Sequence, residues 1–408
     1  MSASRRPQHL AATPAATRRR RLVAGIAVSS LGDGLLVVAL PLLAVRITAQ
    51  PLLIAGIAVA SGLPWLLLGL PAGALADRAE RSLLVLLVDL VRAVVVAGLG
   101  LAVAFSRPTM VEIYAAAFLV GTGETVVTAA TKAAVPLIAG PGELPRVNGQ
   151  VNAAETAGVE FAGPALGGFV FSLRAWLPFL GDAVSYLASA FLLERATAHL
   201  GPRPERPTTG IVADMRTGLA WFASNRRLRV LATIVSSFAF CQSAVLSVLV
   251  IYATRDLHLH GAAYGALLSV AAVGDVTASL LAGRIHGRLG PYVSILVAGT
   301  LAGGAYVLLG GTSHAYVAVV ALAIEAAGSS LGNVTTLSLR QRLIPPERFG
   351  LVSNAFRMCV LGMVPLGALA GGVLTSALGT RPTFVVAGIA QLAVLALMAV
   401  PLRFVAIS

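Results

Sequence analysis

Twelve apolar runs, each long enough to cross a bilayer, fill most of this chain and leave few other folds open to it. A helix needs about 20 apolar residues to span the hydrocarbon core. Runs of that kind fall at 22–45, 53–76, 82–105, 111–135, 147–172, 177–195, 227–253, 262–284, 291–311, 315–338, 350–378 and 382–402. Only 12% of the 408 residues are charged, against about 25% in a soluble domain. The charges gather between the runs. The expected fold class is therefore an all-α polytopic membrane protein with twelve transmembrane helices. The 42 glycines suit close helix packing in lipid, where small residues let backbones approach.

The formal net charge of +13 invites a nucleic-acid reading, and its distribution argues against one. Threading the runs through a membrane puts 23 basic residues on the side of the termini and five on the other: Arg46, Arg107, Arg174, Arg255 and Arg381. Arg92 and Arg357 fall inside helices. Positive charge concentrates in cytoplasmic loops, so both termini and the long central loop are expected in the cytoplasm, with the chain in a bacterial inner membrane. Arg18 to Arg21 resemble the start of a signal peptide. The apolar segment after them is too long, contains Asp33 and lacks a small-residue cleavage site, so an uncleaved first helix is expected. Cys241 and Cys359 have no spacing that implies a metal site or a disulfide framework.

The chain repeats itself. Glu143 precedes the pair Gly167-Gly168 by 24 positions, and Glu347 precedes Gly371-Gly372 by 24. Pro178 and Pro382 follow ten positions after each pair. Gly73 and Arg78 are matched by Gly283 and Arg288. Two parallel six-helix repeats about an axis along the membrane normal are one transporter architecture. The expected organisation is a disordered cytoplasmic tail over 1–21, a six-helix bundle over 22–195, a cytoplasmic loop over 196–226 and a second bundle over 227–408. Asp214 to Ser224 reads as an amphipathic piece at the membrane surface.

The segment Gly73-Ala-Leu-Ala-Asp77-Arg78-Ala-Glu-Arg81 resembles the signature of the major facilitator superfamily in the loop between helices 2 and 3. Asn148 to Phe179, with Gly163-Pro164 and Gly167-Gly168, and Arg340 to Gly372 are similar to its bacterial branch of enterobactin exporters and macrolide-type efflux proteins. The resemblance implies a major facilitator fold in which helix 2 faces helix 11 and helix 5 faces helix 8. It also implies that Asp77, with Arg78 and Arg81, latches onto the start of helix 11 when the cytoplasmic side closes. An anion is favoured there by the helix dipole. Gly287 stands where a second such acid would be, so the latch is expected in the first half alone. Gly163, Gly167, Gly367 and Gly371, spaced by four within helices 5 and 11, are expected either at the gating contacts between halves or in ordinary packing.

Seven acids interrupt the apolar runs: Asp33, Glu124, Glu155, Glu160, Asp182, Asp275 and Glu325. A carboxylate at the centre of a membrane helix costs about 2.5–3.5 kcal/mol by insertion scales, so such groups read as an ion or substrate pathway. At 1.5 Å per residue, Asp33 lies about 17 Å along helix 1, and Glu124, Glu160, Asp275 and Glu325 are similarly deep. Burial disfavours the charged form of a carboxyl, which is what a proton carrier requires. Asp33, flanked by Gly32 and Gly34, is the first choice for that carrier. Glu124 and Glu160 are candidates for a coupled pair. Glu155 and Glu160 are about 140° apart around their helix and cannot point the same way. Arg92, three after Asp89, reads as one member of an intrahelical pair. Arg357, with no local acid, is expected to reach a distant carboxylate or the cavity. Asp182 and Glu112 read as interfacial.

These residues lead to a secondary transporter working by alternating access, without a cofactor and driven by a proton gradient. The expected substrates are small hydrophobic or cationic compounds moved outward, because buried acids outnumber buried bases. A dedicated metabolite or siderophore exporter, an uptake symporter and a non-transporting membrane sensor are the alternatives. Expected partners are a small-molecule substrate and the lipid bilayer, with no nucleic acid, and the chain is expected to be a monomer. No phosphate loop, metal-ligand spacing or histidine cluster suggests an enzyme.

Overall fold

The structure is a computed structural model that describes residues 15–105, 108–140, 142–198, 219–345 and 348–406. Among these, eleven helices are long and apolar enough to cross a membrane. One of them, Ala262–Gly311, has 50 residues and is broken at Gly290 (φ 72°, ψ 168°), the residue before Pro291. A side chain at that φ would be strained, and proline disfavours helix in the residue before it. The break makes two crossings, so the chain has twelve.

We label them α1 (Ala15–Ile47), α2 (Pro51–Arg78), α3 (Arg81–Ala104), α4 (Met110–Ile138), α5 (Leu144–Leu173), α6 (Leu177–Thr197) and α7 (Arg226–Asp256). Then follow α8 (262–289), α9 (291–311), α10 (Ala315–Leu343), α11 (Phe349–Leu378) and α12 (Thr380–Ala406). The tail expected to run to residue 21 gives way earlier, because α1 starts at Ala15. Leu22 is fully buried, and Arg19 donates to Glu143 at 2.8 Å, so tertiary contacts hold this first turn. Most of the central loop and residues 1–14 lie outside the described residues; of the surface piece, 219–224 is helical.

Within the first half α1 packs on α6, α2 on α4 and α3 on α6; within the second, α7 packs on α11 and α12. Between halves, α2 meets α11 and α5 meets α8. The apolar cores show how the halves are joined. One cluster runs through both, from Leu36, Ile54 and Ile113 to Val245, Tyr264 and Phe384. It lies toward the side away from the termini. On the termini side the cores are separate: Leu22, Val85, Val127 and Leu193 in the first half, and Leu228, Ile295, Leu339 and Leu402 in the second.

The result is a wedge. A Cβ placed on Gly372 of α11 would stand 2.9 Å from Ala55 Cβ of α2. At Gly62 the nearest atom, on Val364, is 3.8 Å away, and at Gly69 and Gly73 nothing lies within 4 Å. The other seam widens likewise. A Cβ on Gly168 of α5 would stand 2.9 Å from Gly265 Cα of α8, whereas Gly283 has open space around it. Arg255 donates to the Ala49 carbonyl at 3.1 Å and Ala262 N–H to Ser172 Oγ at 2.8 Å, closing the far side. The space between the halves therefore opens toward the termini.

Candidate functional site

α1, α3 and α6 bring a polar cluster into the first half. Arg92 of α3 is 2% exposed and donates from Nη2 to Asp33 Oδ1 at 2.7 Å and from Nη1 to Asp89 Oδ1 at 3.2 Å. Tyr186 of α6 donates to the same Asp33 oxygen at 2.6 Å and accepts from Arg92 Nη2 at 2.9 Å. The guanidinium carbon also stands 3.9 Å from the Tyr186 ring centroid. Ser189 donates to Asp89 Oδ2 at 2.9 Å. Small residues make the room: a methyl on Gly123 of α4 would stand 2.5 Å from Arg92 Cδ.

The two carboxylates differ in access. Asp89 is fully buried and Asp33 is 19% exposed. Arg92 thus has a fixed counter-ion in Asp89 and a second one, Asp33, that water can reach. A buried guanidinium left without counter-ions is costly.

This changes two expectations. Arg92 is not confined to the pair with Asp89; it bridges α3 to α1. Asp182 is not interfacial but fully buried, accepting from Ser185 Oγ at 3.0 Å and lying against Gly32. Asp182 lies deeper than its place near the start of α6 suggests because α6 begins deep: its sixth residue already meets Gly32, while α1 runs on to Ile47. Tyr186 and Ser189 had no sequence signal. Arg92 had one, since it lies 11 positions into its helix, a depth of about 17 Å that matches Asp33.

Glu124 of α4 has Trp65 of α2 as a hydrogen-bond partner and Asp33, Arg92 and Glu155 as charged neighbours. Glu160 is exposed and has Asp275 of α8, in the other half, as its charged neighbour. Glu124 thus belongs with Asp33 and Arg92, and Glu160 has Asp275 as its charged neighbour rather than Glu124. A π-turn, Ala157–Ala162, follows Glu155 and carries Glu160. It forms where Gly158 and Gly163 press on the backbone of Ser30 and Gly34 in α1. Such turns recur at functional sites.

In the second half, Glu325 of α10 is buried and accepts from Gln242 Nε2 of α7 at 2.9 Å and from Tyr306 of α9 at 3.0 Å. Arg357 of α11 is exposed, and its guanidinium lies 5.2 Å over the Trp65 ring of α2. It reaches across the interface to an aromatic face rather than to a carboxylate.

The glycine expectation resolves toward ordinary packing. Gly163 and Gly167 face Gly34 and Leu35 in their own half, and Gly367 and Gly371 face Phe240 and Ala244 in theirs. The contacts between halves fall to the next residues, Gly168 and Gly372. Arg81 is buried. The backbone of Asp77 and Arg78 ends α2, and their side chains lie outside the described ones, as does the latch assigned to them. No group of three or more metal-ligating side chains occurs among the described residues.

A family profile described as the Major Facilitator Superfamily matches residues 22–363 and, again, 231–406. No curated protein sequence matches significantly. Several solved structures share the fold. A bacterial homologue of the human lysosomal transporter Spinster, inward-facing and unoccupied, has a TM-score of 0.77 at 14% identity, over 96% of this chain and 98% of that one. A bacterial homologue of the iron transporter ferroportin, also inward-facing, gives 0.71 at 18%, over 98% and 99%. A nucleoside transporter gives 0.73 at 12%, over 95% and 99%.

Proposed function

Because this chain belongs to the Major Facilitator Superfamily, and so is a secondary transporter of small molecules rather than an enzyme, we propose that it couples outward movement of small, largely apolar compounds to proton entry. The carrying observation is the arrangement Asp89–Arg92–Asp33, in which a buried cation holds one sealed and one water-accessible carboxylate. Asp33 is the proton carrier in this reading. Deprotonated, it accepts from Arg92 and Tyr186; protonated, it releases one arm of Arg92 and loosens α1 from α3. Glu124, a charged neighbour of Asp33, carries the change toward Trp65 and the interface with α11. The excess of basic residues on the termini side supports a cytoplasmic position for that side. The wedge would then be open to the cytoplasm, ready to load a compound for export. Energy comes from the proton gradient, and Glu160 with Asp275 lies where the halves meet.

The charge preference is less one-sided than a count of acids suggests. Arg92 offsets one of the charges on Asp33 and Asp89, and the second half holds Arg357 at the interface. The domain division at the central loop and a monomeric state remain part of the proposal. The deciding experiment is purified protein in liposomes with an imposed pH gradient. Wild type should move protons when substrate is supplied, and Asp33→Asn should move none. Gradient-driven accumulation that survives Asp33→Asn would overturn the assignment.

A further inference from the structure

A cavity lies inside the second half. Helices α7, α9, α10, α11 and α12 enclose a cavity of about 310 Å³, at the small end of the usual range for ligand pockets. Its mouth is formed by Arg357 and Asn333, both exposed, and the contact of Arg357 with Trp65 of α2 puts that mouth at the seam between halves. Its back wall includes Gln391 of α12, which is 1% exposed. Neither Gln391 Nε2 nor Gln391 Oε1 has a hydrogen-bond partner. A buried amide left unmatched costs about 1–3 kcal/mol, and both of its ends are unmatched here. A ligand that offers a carbonyl and an N–H answers both.

The charges point the same way. Arg340 also lines the cavity, with its guanidinium 4.5 Å over the Phe356 ring. Among the described residues no ion pair joins Arg340 or Arg357 to a carboxylate. Among the described residues no acid lines the cavity. Glu325, the nearby acid, is occupied by Gln242 and Tyr306. The remaining wall is largely apolar, with Phe238 and Ile295 among its members.

We propose that this cavity is a substrate subsite for a small carboxylate that also carries an amide, of the acylated amino-acid kind. The carboxylate meets the arginines, the amide pairs with Gln391, and the acyl group fills the apolar wall. The proposal rests on the transporter reading above and narrows its substrate class to compounds with an acidic end.

Equilibrium binding to the full chain in lipid nanodiscs tests it with two probes. N-benzoylglycine has the ring, the amide and a carboxylate; N-(2-aminoethyl)benzamide keeps the ring and amide and carries an ammonium instead. The acid should bind wild type at least about tenfold more tightly than the amine, the scale of one charge-assisted hydrogen bond. Arg357→Gln, at the exposed mouth, should cut that preference several-fold, with Arg340 supplying what remains. Gln391→Leu should weaken the acid about tenfold; should it fail to fold, Gln391→Asn takes its place, with the same expectation. Equal affinity for the two probes in wild type, or acid binding that neither variant changes, would overturn the proposal. Nothing need be transported for binding to be read. A failed proton-coupling experiment therefore bears on the earlier reading alone, and failed binding beside intact coupling bears on the subsite alone.

Discussion

Arg92 and Asp33 stand 59 positions apart in the chain and 2.7 Å apart in the structure. The contact ties α3 to α1, the helix that also packs on α5 and α6. A guanidinium buried to this degree stays charged, so its surroundings must supply negative charge at all times. Asp89, sealed from water, and Asp33, partly open to it, both stand within reach of the guanidinium to supply it.

Removing the arginine leaves two carboxylates facing each other without their counter-ion. Breaking a buried pair in this way costs about 3–5 kcal/mol. Arg92→Leu should therefore lower the melting temperature well below wild type in a thermal unfolding measurement. Arg92→Leu combined with Asp33→Asn and Asp89→Asn should recover much of the loss. If the triple variant is no more stable than the single one, the cluster does not act as a unit.

The seams between halves predict a shift in conformational balance. Gly168 and Gly372 allow close contact on the far side, and a larger side chain at either would collide with backbone of the other half. Gly168→Val and Gly372→Val should disfavour the present state and expose the far side. Spin labels on Ala49 and Arg255 should read longer distances in both variants. Gly73→Val, placed in open space, should leave that distance unchanged while slowing turnover.

Glu143 offers a pH handle outside the membrane. Its carboxyl is held below the ordinary value first by the hydrogen bond from Arg19 and then by that residue's charge. The pair therefore contributes above the unfolded carboxylate value of about 4.3 and is lost as pH falls through the lowered folded value. Hydrogen exchange at the first turns of α1 should speed up as pH is taken from about 6 to about 3, beyond the intrinsic dependence. Glu143→Gln should show that faster exchange already at the upper pH.

The crossings themselves were legible because length and apolarity suffice to define them. The repeat was legible because glycines and prolines mark the same points twice. The faces of the helices were not. Adjacent residues differ by about 100° around a helix, so a Gly-Gly pair announces a close approach without saying which glycine meets which neighbour. Gly167 met α1, and Gly168 met α8. Long-range polar contacts were hidden for a different reason. Asp89 and Arg92 satisfy each other at a spacing visible in sequence, and nothing in that spacing tells of Asp33, Tyr186 or Ser189.

The common core that joins the halves lies on one side of the molecule only. Rocking to the opposite state must separate apolar surfaces there and unite others at the termini end, where α2 and α8 now carry bare glycines. The two openings therefore compete for a fixed stock of contact. A solute lodged in the gap needs to supply little more than the imbalance between them to tip the molecule over.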